Sequence, residues 1–289
     1  MSRLALGTAQ FGSPYGISNR DGKVSFAVAK SMLKFASENG IDFIDTAISY
    51  GDSERCLGAA GIEGFNIITK LPRVPENCSD IELWVNRQIK SSLSKLKTEN
   101  IYALLLHAPQ QLLSSNGPKL FQALQRQKNN GYVKKIGISI YSPTELELII
   151  QKYSLDLVQA PFNLVDQSFY QSGWMKKLKD AGLEIHVRSV FLQGLLLLKK
   201  SDIPSKFLKW NHLWMIWHEW LLKNKVSPIH ACLDFALSFS EIDRVIIGAD
   251  NKSQLLELAS HEKKQLNLIF PDFCSNDLDL INPSNWDYL

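Results

Sequence analysis

The chain has 289 residues, of which 45% are hydrophobic and 21% charged, the balance of a globular protein with a sizeable core and not of a disordered or fibrous one. Lys and Arg exceed Asp and Glu by 32 − 29 = 3, and the densest basic groups are only pairs, Lys134–Lys135, Lys176–Lys177 and Lys263–Lys264. So small and scattered an excess argues against a nucleic-acid partner.

In chain order, the first apolar run is Leu4–Ala9, followed by a helical pattern over Phe26–Asn39 that stops at Gly40. Ile41–Ala47 and Phe65–Leu71 are the next runs. Ile81–Leu96 then carries apolar residues at helical spacing. After Ile101–His107 comes Lys119–Asn130, stopped by Gly131, and after Lys135–Ser139 comes Thr144–Tyr153, opened by Ser142-Pro143. Leu155–Pro161 leads into a helix over Asp166–Ala181, ended by Gly182. Glu184–Val190 precedes Pro228–Phe239, and Arg244–Ala249 precedes Lys252–His261. The eight apolar runs span five to seven residues each, as expected of strands buried on both faces.

Strands alternating with helices predict a parallel sheet. Eight such units over ~250 residues fit an α/β fold of the closed (β/α)8 (TIM) barrel type better than an open sheet. No Gly-x-Gly-x-x-Gly follows a strand, which weakens a dinucleotide fold of the open kind. No Gly-, Pro- or Ser-rich linker divides the chain. We expect one domain over 1–289, with the barrel over about 4–265 and a tail over about 270–289 docked on it by Phe270, Phe273, Trp286 and Tyr288.

The start carries no long apolar run behind a basic end, so no secretory signal is expected. The greasiest stretches, Tyr102–Leu106 and Leu195–Leu198, fall far short of the ~20 residues that span a bilayer. Cys56, Cys78, Cys232 and Cys274 are widely separated and form no C-x-x-C pair, which fits a reducing, cytoplasmic setting. His212, His218 and His230 lack metal-ligand spacing with a third ligand, so no metal is expected.

Active sites of such barrels lie beyond the carboxyl ends of the strands. Strand two ends in Asp45, with Tyr50 close behind; strand three ends in Lys70 and strand four in His107. Each residue alone has an ordinary reading as packing, a cap or surface. Together, at consecutive strand ends, they form an acid–base set. An ammonium lowers the pKa of a nearby phenol, and a carboxylate holds the ammonium in place. The phenol can then exchange a proton with a carbonyl or alcohol oxygen, which an imidazole can orient. No side chain supplies a hydride, and a nicotinamide cofactor would.

Gly7-Thr8, Asp45-Thr46-Ala47 with Tyr50-Gly51, Thr69-Lys70 and His107 resemble the aldo-keto reductase family, over about Leu4 to Glu257. The resemblance implies the (β/α)8 barrel, a small carbonyl or alcohol substrate, and NADP(H) or NAD(H) bound in extended form. It implies Tyr50 as proton donor, Lys70 as its tuner, Asp45 as partner of that lysine and His107 as the carbonyl-orienting residue. Thr8 matches a residue near the nicotinamide ribose, and Ser139 and Gln159 match carboxamide binders. Ser189 to Gly194, with Leu192 and Gln193, matches the loop along the pyrophosphate. Gly248, Gln254 and Glu257 match the adenosine end.

Three positions depart from the family pattern. Ile140 stands where Asn is common. Arg188 stands where an aromatic ring stacks on nicotinamide, a role a planar guanidinium can also fill. Asp250 stands where a cation usually meets the 2′-phosphate of NADP. It suits the free hydroxyls of NAD or is a plain helix N-cap, while Lys252 lies near enough in sequence to meet a phosphate. Family habit favours NADP, and NAD stays open.

Gln10, Phe11 and Tyr15 follow strand one and form a candidate substrate wall for a sugar-derived carbonyl; the aromatics equally suit packing of the loop. Trp210, Trp214, Trp217 and Leu221 share one helical face, as core or as a homo-oligomer interface through the Trp210–Trp220 helix. Two rivals to an active reductase remain: a catalytically weak, cofactor-binding sensor or scaffold, and a cofactor-free isomerase or lyase.

Overall fold

The computed structural model describes residues 2–19, 21–262, 266 and 268–289. The Lys263–Lys264 pair and the expected barrel end near 265 lie outside the described residues.

Eight parallel strands close into a barrel in sequence order. They are β1 (Leu4–Gly7), β2 (Phe43–Asp45), β3 (Asn66–Leu71), β4 (Ile101–Leu106), β5 (Val133–Ser139), β6 (Leu157–Pro161), β7 (Glu184–Arg188) and β8 (Arg244–Gly248). β1 pairs with both β2 and β8, which completes the ring. All eight runs expected from the sequence are strands, within a few residues at the ends.

The barrel separates two apolar layers. A small inner cluster holds Ala5, Phe43, Ile68, Ala103, Leu105, Leu157 and Ile246. The larger outer cluster fills the space between strands and helices. Strand side chains alternate between faces with a period of two. One step beyond Phe43, Ile68, Leu105 and Leu157 stand Asp45, Lys70, His107 and Gln159. The same alternation that fills the barrel therefore delivers polar residues to its carboxyl-end mouth.

The main helices are α1 (Phe26–Glu38), α2 (Ser53–Ala60), α3 (Ile81–Leu96), α4 (Gly117–Asn129), α5 (Leu146–Lys152), α6 (Trp174–Asp180), α7 (Asn211–Asn224), α8 (Pro228–Leu237) and α9 (Lys252–Glu262). The helix expected over 166–181 is broken into a single turn, Ser168–Gln171, and α6. Gly173, at φ 76°, takes the left-handed conformation between them. The apolar pattern did not reveal α2, which has only Leu57 as a large buried residue.

The Trp face of α7 is core. Trp214 Nε1 donates to the Phe207 carbonyl at 2.8 Å and Trp217 Nε1 to the Leu196 carbonyl at 3.1 Å. Trp210 Nε1 donates to Asp277 in the tail at 3.0 Å. Phe273 stacks on Trp217, and Trp286 meets Phe207 edge-on. The tail is thus docked by Phe273 and Trp286, with Phe270 against Trp220 and Phe235, whereas Tyr288, expected among the docking aromatics, is exposed at the chain end; the three indole rings are engaged within their own chain. The outward side of α7 exposes Met215, Ile216 and Leu222. No described helix is long and apolar enough to cross a membrane.

Candidate active site

Four of the expected residues converge. Lys70 is fully buried, and its Nζ donates to Asp45 Oδ2 at 2.5 Å and to the Thr46 carbonyl at 2.9 Å. The same ammonium lies 5.1 Å from the centre of the Tyr50 ring. The His107 ring meets the Tyr50 ring edge-on, with centroids 6.1 Å apart. The second carboxylate oxygen of Asp45 accepts from Gln159 Nε2 at 2.7 Å, and Gln159 Oε1 accepts from Ser139 Oγ at 3.1 Å. A buried chain therefore crosses the mouth from β5 through β6 to β2 and β3. It compensates the desolvation that an isolated buried lysine would suffer.

A second layer holds this chain in place. Thr8 donates to the Asp45 carbonyl through both N and Oγ1. Ser53, at the start of α2, donates to Thr8, and its neighbour Glu54 accepts from Thr69 at 2.8 Å and from Ser92 at 2.6 Å. Gly12 passes directly beneath Tyr50; a Cβ there would sit 1.7 Å from the Tyr50 carbonyl oxygen. Sequence reasoning missed Ser53 and Glu54 because it missed their helix. The Asp52-Ser53-Glu54 triplet was the available signal, since such residues favour a helix start.

The electrostatics refine the expected roles. Burial, then the Asp45 carboxylate, push the Tyr50 phenol above its ordinary range, while Arg188 pulls it down. The net lowering expected from the ammonium is therefore not the state of this cleft, which holds the phenol protonated. Burial pushes Lys70 down, and Asp45 opposes that shift. Burial, with the fields of Lys70 and Arg188, lowers His107 to about 4, so its imidazole is neutral at pH 7.

Tyr50 opens on an elongated cleft at the barrel mouth. The cleft runs from Asp45, Tyr50, Gln10 and Tyr15 past the loop after β7 to Gly248, Asp250 and Gln254. Leu197, Ile229 and Leu258 add apolar surface. The loop after β1 is tied across it: Ile17 N donates to the Gln193 carbonyl at 3.0 Å, and Asn19 Nδ2 to Asp250 Oδ1 at 3.1 Å. Gly194, at φ 92°, leaves no room for a side chain beside Ser18.

The model of the aldo/keto reductase family matches residues 3–267. The chain belongs to this family. An uncharacterized oxidoreductase of Bacillus subtilis, YqkF, is 25% identical over 249 residues, covering 79% of this chain and 80% of that protein. The aldo-keto reductase YhdN of the same organism is 26% identical over 187 residues, covering 59% and 53%. The aldo-keto reductase AKR11C1 from Bacillus halodurans, in its holo form, superposes with a TM-score of 0.70 at 18% identity, covering 96% of this chain and 94% of that one; that likeness speaks for the fold.

Within this aldo/keto reductase, the residues expected to contact cofactor or substrate fall into four settings. Thr8, Gln10, Tyr15, Arg188, Ser189, Gln193, Gly194, Gly248, Asp250 and Gln254 line the cleft. Ser139 and Gln159 lie buried below it. Phe11 and Leu192 are fully buried and pack their loops instead. Lys252 lies over the Phe35 ring, in a groove outside the cleft, and Glu257 faces His230 at 3.5 Å. Asn251, not Asp250, caps α9, accepting from Gln254 N at 3.0 Å. Asp250 instead presents its carboxylate to Asn19, and its N–H donates to Gln254. No group of three or more potential metal ligands occurs among the described residues.

Proposed function

We propose that the protein moves a hydride between a nicotinamide dinucleotide and an aldehyde or ketone, or the matching alcohol, with Tyr50 as general acid and base. The observation that carries this reading is the buried Asp45–Lys70 pair beneath the Tyr50 ring, at the mouth of a cleft long enough to reach Asp250. Reduced nicotinamide, held along the lining that includes Gly248 and Gln254, would supply the hydride. The carbonyl oxygen takes its proton from Tyr50 Oη, and the Lys70 ammonium, 5.1 Å from the ring centre, favours the resulting phenolate. A neutral His107 donates a hydrogen bond to the same oxygen and orients it. Asp45, fixed by Lys70 and Gln159, keeps the ammonium in register. In the reverse direction the phenolate accepts the alcohol proton.

The residues present fit a dinucleotide. Gly248 exposes backbone along the cleft, and the apolar trio with Gln254 suits an adenosine. Arg188 is the one described cation in the lining, whereas Asp250 is at the far end. A carboxylate repels a 2′-phosphate and accepts from ribose hydroxyls. With Lys252 outside the cleft, we infer that NAD(H) is preferred over NADP(H), against family habit. Separate titrations of NADH and NADPH, followed by quenching of Trp fluorescence, test both points. NADH is expected to bind at least about tenfold more tightly, a difference of about 1.4 kcal/mol. Equal or tighter NADPH binding contradicts the preference, and absence of any binding contradicts the reductase reading.

A further inference from the structure

Arg188, the last residue of β7, is a cation without a charged partner among the described residues. Its Nη2 donates to the Ile140 carbonyl at 3.0 Å and its Nη1 to Ser189 Oγ at 3.2 Å. One guanidinium face lies against the Tyr141 ring at 4.7 Å. A guanidinium has five N–H donors, and these two bonds leave three. The neighbouring carboxylates are engaged elsewhere: Asp45 by Lys70 and Gln159, Asp166 by Ser168. Yet Arg188 is only partly exposed and lines the cleft together with Tyr50, Tyr15 and Gln10.

The charge balance of this end of the cleft is therefore incomplete. Asp45 and Lys70 cancel. His107 is lowered to about 4 and adds no charge at pH 7. Arg188 is the one described cation in the lining itself, and its field reaches Tyr50, His107, Lys70 and the buried Asp166, which lies outside the lining. A partly desolvated cation with unused donors favours an anionic ligand, and a planar fork of N–H groups matches a carboxylate. The Tyr141 ring holds that fork in the same cleft lining as Tyr50, whose hydroxyl would meet the carbonyl.

We propose that the carbonyl substrate of this reductase carries a carboxylate, bound by the Arg188 guanidinium at the rim of the cleft beside Tyr50. This rests on the reductase reading and narrows its substrate class to aldehydo or keto acids. It also moves Arg188 from the cofactor to the substrate.

The test compares two aldehydes that differ in charge, para-formylbenzoate and its methyl ester, reduced with NADH or NADPH at pH 7. The wild-type protein is expected to favour the acid in kcat/KM by about tenfold or more, as a charge-assisted pair allows. Arg188→Gln should bring that ratio to about one, and Arg188→Lys, which keeps charge but loses the fork, should retain part of it. Nucleotide titration by Trp quenching, run on the same three proteins, should give similar affinities. If Arg188→Gln loosens the nucleotide and leaves the acid-to-ester ratio unchanged, the guanidinium serves the dinucleotide phosphates and the proposal is overturned. Equal turnover of acid and ester by the wild type overturns it too, while the reductase reading stands. If the wild type neither binds nucleotide nor reduces any aldehyde, the reductase reading falls, and this proposal with it.

Discussion

Tyr50 works between opposed fields. Burial and Asp45 hold its proton on, while Arg188 draws it off; the balance suits a group that must donate to a carbonyl and recover afterwards. His107 gives the site its pH signature. Its folded value is lowered from 6.5 to about 4, so between those values the unfolded chain binds more protons than the folded one. Stability should therefore fall as pH drops from 6.5 toward 4, and the penalty is complete below 4. Urea unfolding across that window should show a shallower fall in His107→Gln than in the wild type. Identical slopes would contradict a buried, neutral imidazole. Asp45, Lys70 and His107 were legible in the sequence because each ends an apolar run, where a period of two fixes its side. The link from Gln159 to Asp45 was not, because it joins strands that neither pair nor follow one another.

At the scale of elements, α2 connects sequence to site. Ser53 and Glu54 at its start fasten the carboxyl ends of β1 and β3, through Thr8 and Thr69. Glu54 also takes the Ser92 hydroxyl from α3 and lies 3.8 Å from Lys95. Glu54→Ala leaves the buried Thr69 and Ser92 hydroxyls without their acceptor, and should cost about 2 kcal/mol in chemical unfolding; a change within error would show the network to be dispensable. Hydrophobic periodicity could not reveal α2, which packs between α1 and α3 in the outer helix layer and buries mainly polar or small residues. The Trp face of α7 was legible as a stripe but not as to what it covers. That answer needed the tail, whose Phe273 and Trp286 lie about fifty and sixty residues beyond the end of α7 in sequence but pack with α7 and Phe207.

For the whole molecule, barrel and site have one origin. Closing eight parallel strands into a ring brings the ends of β2, β3, β4 and β6 to a common mouth, so residues scattered over more than a hundred positions meet around one aspartate. The count of strand–helix units made the barrel readable in the sequence. The lid-like ties of the β1 loop to Gln193 and Asp250 were not readable, because they depend on which loops face each other once the ring is closed. Those ties also separate Asp250 from the cap role that its position before α9 suggested. The most direct measurement is carbonyl-dependent oxidation of the reduced nucleotide, followed in the near ultraviolet, for wild type and Tyr50→Phe side by side. The account predicts turnover in the wild type and a loss of at least about a hundredfold in Tyr50→Phe, the range for removing a general acid, with nucleotide binding retained. Equal turnover in the two proteins would contradict it.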